Sequence, residues 1–114
     1  MKRARHRYGA KFGNVPTTVA GRRYDSKAEA RYAVHLGTLR DAGMVLGWLE
    51  QVPFRFPCGT RYLADFQVFY TDGTCQLVDV KGVETPAFKI KARMMAAHYP
   101  WMPLIVVPAK AVPR

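Results

Sequence analysis

Apolar residues recur as Ala28, Tyr32, Ala33, Leu36 and Leu39, and this 3.6-residue period predicts a helix with one buried stripe. Asp25 or Ser26 stands where an N-cap belongs, and Gly43, after Asp41-Ala42, supplies the residue type that ends a helix. The pattern then changes. Met44 to Phe56 reads as a strand bent at Gly47 or Pro53, and Pro57-Cys58-Gly59-Thr60 is loop chemistry. Arg61 to Tyr70 (RYLADFQVFY) is apolar on both faces, as a central strand requires, and TDGT joins it to a further strand, Cys75 to Lys81 (CQLVDVK). Gly82 breaks that run. Thr85-Pro86 sets an N-cap followed by proline at N1, so Phe88 to His98 is expected to be helical, with Ile90, Met94, Met95 and Ala97 near one side and Lys89, Lys91 and Arg93 exposed. After Pro100 and Pro103, LIVV reads as a buried closing strand. Helix, three strands, helix, strand predicts an α/β domain, an αβββαβ core in which helices flank a mixed sheet.

Ahead of the first helix, VPTTV and RRYD are expected to pair around an Ala20-Gly21 turn. Residues 1–13 (MKRARHRYGAKFG) carry Lys2, Arg3, Arg5, Arg7 and Lys11, no carboxylate and no period that would bury a face. They read as a mobile basic arm before a domain over residues 14–114.

Composition narrows the class. The 114 residues suffice for one domain, and 18 Lys and Arg against 8 Asp and Glu leave a formal charge of +10, which suits a polyanionic partner. No apolar run approaches a membrane span and no apolar stretch follows the basic start, so a cytoplasmic, nucleoid-associated protein is expected. Cys58 and Cys75 fall at opposite ends of the expected strand pairing and lack metal-ligand spacing, which argues against a disulfide or a structural zinc.

The informative residues are carboxylates in places that otherwise read as core. Asp65 and Asp79 interrupt strands, where aspartate is depleted because it resists burial and competes for backbone bonds. With Asp72-Gly73 as a two-residue turn, Asp65 would face Val80 and the aspartates would point to opposite faces. A three-residue loop, Thr71-Asp72-Gly73 with Gly73 left-handed, pairs Tyr70 with Thr74 and Asp65 with Asp79 instead. The second register is preferred, and it sets two carboxylates about 5 Å apart on one face, which needs a cation or a proton between them. A hard divalent ion such as Mg²⁺ suits an all-oxygen site, and Lys81, two residues from Asp79, shares that face. The same pair also reads as a buried Asp-Lys ion pair. D-x-K alone is weak, since Asp25-Ser26-Lys27 matches it and is explained by capping. Glu29 shares a face with Ala33 and Leu36, but Ser26-Lys27-Ala28-Glu29 is also a capping box. Gln51 either faces the same pocket or is an exposed strand glutamine.

Glutamate in a first helix, aspartate in a strand, then Asp-x-Lys in the next strand before a basic helix resembles the PD-(D/E)xK nuclease superfamily, with a restriction-endonuclease-like core. YDSKAEARY, Gln51-Val52-Pro53-Phe54, YLADF and VDVKG are similar to the small phage-encoded, endonuclease-I-like Holliday junction resolvases of that superfamily. The resemblance implies that Asp65 and Asp79 bind Mg²⁺ or Mn²⁺ with the Val80 carbonyl, that Lys81 positions or activates a water, and that Glu29 completes the acidic cluster. Ala64 stands where the superfamily name has proline, a variable position.

The remaining cations fit a phosphate-binding role: Arg22, Arg23, Lys27 and Arg31 around the first helix, and Lys89, Lys91 and Arg93 on the second. Trp48, Phe56, Tyr99 and Trp101 suit base stacking or, preferably, core or dimer packing. His6, His35 and His98 show no ligand spacing. The expected function is a Mg²⁺- or Mn²⁺-dependent DNA endonuclease, acting as a homodimer on branched DNA, a four-way junction foremost. The alternatives are a transposon-end or nicking nuclease with the same core and a non-catalytic basic nucleic-acid-binding module.

Overall fold

Ser26 adopts an extended backbone and its side chain accepts the Glu29 N–H at 3.0 Å, which starts helix α1, Lys27–Asp41. Gly43, with φ 83°, ends it. The Met44 N–H donates to the Leu39 carbonyl and the Gly43 N–H to that of Arg40, so the last turn closes in a Schellman arrangement. The computed structural model describes residues 17–19, 22–24 and 26–113. The basic arm over residues 1–13, with Lys2, Arg3, Arg5, Arg7, Lys11 and His6, lies outside the described residues, as do the Ala20-Gly21 turn and Asp25.

Two short strands, β1 (Thr17–Val19) and β2 (Arg22–Tyr24), pair antiparallel ahead of α1. After it come β3 (Val45–Arg55), β4 (Arg61–Tyr70), β5 (Cys75–Lys81), helix α2 (Pro86–His98) and β6 (Leu104–Pro108). The main sheet runs β3-β4-β5-β6, with the first three strands antiparallel and β6 parallel to β5 through the α2 crossover. This is the αβββαβ α/β architecture that the chain pattern predicts. Among the described residues no helix is long and apolar enough to cross a membrane.

The β4–β5 turn sets the register on which the site depends. Gly73 takes φ 91° and its N–H donates to the Tyr70 carbonyl, while the Tyr70 N–H donates to that of Thr74. Phe69 therefore pairs with Cys75 and Phe66 with Val78, and the same register sets Asp65 against Asp79. The three-residue loop is the one formed.

The sheet carries a core on each face. Tyr32 and Leu36 of α1 pack on Phe66, Val68, Val78 and Val80, and Phe88 and Met95 of α2 pack with Phe56, Tyr62, Ala64 and Leu77. Val78 and Leu77 go to opposite sides, as alternation along β5 demands. On β4, however, Tyr62 and Ala64 join the α2 core whereas Phe66 and Val68, of the same parity, join the α1 core. Trp48 and Phe54 on β3 divide in the same way. The β3–β4 pair thus turns over between its two ends, at Asp65 and the residue opposite, Gln51, whose φ is 56°.

Several expectations need correction. The bend in β3 lies at Gln51, with a bulge between Val45 and Gly47, while Pro53 pairs in register with Leu63. On α2 the buried positions are Phe88 and Met95, with Ala92 half-buried between them; Ile90 and Ala97 face outward and Lys91 is half-buried. Helix phase counted from Pro86 explains this, because 88, 92, 95 and 99 form the inner stripe. β6 is an edge strand rather than a buried one, with Ile105 exposed. Trp101 meets the Tyr99 ring edge-on but is 68% exposed and outside the core, whereas Phe56 is buried and Trp48 and Tyr99 are half-buried.

Gly73→Ala is expected to cost about 1–2 kcal/mol of stability, since an L-residue pays that much for a left-handed backbone. Urea denaturation measures it, and an unchanged midpoint would show that the loop has another conformation open to it.

Candidate active site

β4 and β5 present Asp65 and Asp79 opposite one another just where their backbone ladder stops. The two carboxylates replace the missing rung. Asp79 Oδ1 accepts the Asp65 N–H at 2.7 Å, and Asp65 Oδ2 accepts the Val80 N–H at 3.0 Å. Each aspartate therefore caps a backbone amide of the neighbouring strand, which explains how strand interiors tolerate them. Asp79 is fully buried and Asp65 is 8% exposed.

Asp79 Oδ2 receives the Tyr62 hydroxyl, and Lys81 Nζ stands 3.6 Å from the same oxygen. Lys81 also lies over the Phe88 ring, 4.5 Å from its centroid, and keeps about a quarter of its side chain in solvent. The ammonium is thus steered by a carboxylate on one side and an aromatic face from α2 on the other. Burial, then the Asp79 charge, pushes the Tyr62 phenol well above its usual range, so it stays a donor.

Glu29 enters from the first turn of α1, and it is 4% exposed although acidic. Its N–H goes to the Ser26 side chain, one half of a capping box, while its carboxylate accepts from Gln51 Nε2 at 3.4 Å. Capping and site placement hold together. Gln51 Nε2 also lies 3.5 Å from Asp65 Oδ1, so this glutamine sits in the site. Glu29, Gln51, Asp65, Asp79, Val80 and Lys81, all foreseen from the sequence, come together here. Tyr62 and Phe88 were not foreseen, since an aromatic residue in an apolar strand or helix stripe carries no sign of a carboxylate or ammonium beside it.

The phosphate-binding candidates are dispersed. Lys27, Lys89 and Arg93 are exposed, Lys91 and Arg31 half-buried, and Arg22 and Arg23 lie on β2. His35 packs against Tyr32, and His98 lies beside Phe56. Cys58 and Cys75 are both free.

Burial raises the pKa of Asp65 well above the ordinary carboxylate range, and the Asp79 and Glu29 charges push it the same way. Lys81 and the Val80 N–H pull it down without cancelling this. The site thus has a surplus of negative charge among oxygen donors, which is the chemistry of a hard divalent cation. Asp65, Asp79, Glu29 and the Val80 carbonyl suit such an ion in kind. Among the described residues no three acidic, histidine or cysteine side chains stand close enough to grip an ion as they are, and the Asp79 oxygens are engaged by Tyr62, Lys81 and the Asp65 N–H.

The raised Asp65 pKa sets a pH dependence. The folded chain keeps a proton that the unfolded chain loses near pH 4, so stability falls as the pH rises above about 4, by at most about 1.4 kcal/mol per unit. Asp65→Asn keeps an acceptor for the Val80 N–H and removes that loss. Its stability in metal-free buffer should gain on wild type as the pH rises above about 5; parallel profiles in urea denaturation would refute the assignment.

Against known proteins, residues 5–111 match the profile of DUF1064, described as a protein of unknown function. We found no match among curated proteins. The match takes in both helices and the whole four-stranded sheet, and the chain belongs to the DUF1064 family.

Proposed function

We propose that the protein is a metal-dependent DNA endonuclease of the PD-(D/E)xK type, acting on branched DNA. One observation carries the reading: Asp65 and Asp79, joined across β4 and β5, form a buried cluster with Glu29 beside the partly exposed Lys81. Structural ion pairing accounts for Asp79 with Lys81, but not for two further buried carboxylates beside them.

Asp65, Asp79, Glu29 and the Val80 carbonyl would hold Mg²⁺ or Mn²⁺. When bound, the ion supplies Lewis-acid stabilisation of charge on the phosphate oxygens. Lys81, anchored by Asp79 and Phe88 with its ammonium partly in solvent, orients the attacking water and steadies the developing negative charge. Tyr62 and the Asp65 N–H fix the Asp79 carboxylate, which fixes Lys81 in turn. Lys27, Lys89 and Arg93 are exposed cations available to flanking phosphates. A four-way junction is the preferred substrate and a homodimer the preferred assembly, because two cuts must be placed.

A second reading has its own observation: both Asp79 oxygens are satisfied within the protein, as in a basic nucleic-acid-binding module with structural carboxylates. Cleavage of a labelled four-way junction beside a linear duplex, in Mg²⁺ or EDTA, separates the two. Asp79→Ala and Lys81→Ala are each expected to slow Mg²⁺-dependent junction cleavage by about 10²–10⁴-fold. Cutting of linear DNA alone would favour a transposon-end or nicking enzyme. Binding without cutting in any metal would leave the module.

A further inference from the structure

We propose that Gln51 is a positioning residue that gathers Glu29 and Asp65 for a hard divalent cation; the inference rests on the reading of the site given above. Among the described residues Gln51 is the only non-glycine with a positive φ, 56°. Such a backbone costs a residue other than glycine about 1–3 kcal/mol and persists only where its surroundings enforce it. At the other positive-φ positions, 43, 59 and 73, the chain uses glycine. The turning-over of the β3–β4 pair requires the kink but not the glutamine, because glycine would make it without strain.

The side chain supplies the missing reason. Gln51 lies between the pairs Glu50–Phe66 and Val52–Ala64, directly across from Asp65. From there its one NH₂ group reaches Glu29 Oε2 at 3.4 Å and Asp65 Oδ1 at 3.5 Å. Two N–H bonds from one nitrogen, one to each carboxyl group, tie α1 to β4 at the point where Glu29 and Asp65 crowd each other. A lysine there would neutralise the pair and compete with an incoming ion. A neutral amide gathers the two carboxyl groups and adds no cation to compete with an incoming ion.

The test is Mn²⁺ uptake by the full chain, read as loss of the free-ion EPR signal, in a double-mutant cycle of Gln51→Gly with Glu29→Gln. Glycine keeps the backbone conformation, so the fold is retained and circular dichroism verifies it. Gln51→Gly is expected to weaken Mn²⁺ binding by about 10–100-fold, as loss of a residue that orients metal ligands does. In the Glu29→Gln background the same change should cost clearly less than in the wild type, because one of the two carboxyl groups that Gln51 draws together is gone. Unchanged affinity in Gln51→Gly, or losses that add in full, would overturn the role of Gln51 while leaving the metal site intact. Absence of Mn²⁺ uptake by the wild type would overturn the site reading, and this inference with it.

Discussion

The exchange of hydrogen bonds between two aspartates and the amides opposite them is what the rest of the molecule is arranged around. Past Phe66 and Val78 the β4–β5 ladder ends, and Asp79 and Asp65 take the next two amides. A buried amide left without a partner costs about 1–3 kcal/mol, so these carboxylates serve the sheet whatever else they do. They also have little freedom to reorient. Oxygens that cap strands are held by the backbone, and the backbone is held by a core on each face.

Much of the fold could be read from the chain because its signals are local. Ser26 and Gly43 bound α1, Thr85 caps α2, and Gly73 sets the hairpin loop, each through contacts within a few residues of itself. That local chemistry is also why Asp65 and Asp79 could be placed opposite each other before any tertiary contact was known. What escaped is tertiary in origin. The edge position of β6 depends on strand order, which no stretch of sequence encodes by itself, and the outward turn of Ile90 depends on where α2 begins. The kink at Gln51 has no glycine to announce it, whereas Gly47 does mark an irregularity, the bulge between Val45 and Gly47, and Pro53 stays in register.

The site residues divide along the same line. Carboxylates in apolar strands are conspicuous, since each demands a partner, so Asp65 and Asp79 stand out. Glu29 serves twice: its amide donates to the Ser26 cap and its carboxylate accepts from Gln51. Tyr62 and Phe88 are the opposite case. Each fills an apolar position that needs no explanation, and only their distances to Asp79 and Lys81 reveal that they also define where a carboxylate and an ammonium can sit.

The β4–β5 turn bears on the order in which the molecule can assemble itself. Asp65 and Asp79 are joined through a short hairpin, whereas β6 reaches β5 only after the chain has traversed the whole of α2. Closing the shorter loop forfeits less chain entropy, so the hairpin can form ahead of the parallel crossover. The pair of aspartates is then among the contacts of low loop-closure cost, and α1, earlier in the chain, docks Glu29 onto it. In this protein the two buried aspartates are brought together by one of the most local pieces of its architecture, and they do not have to await the last strand.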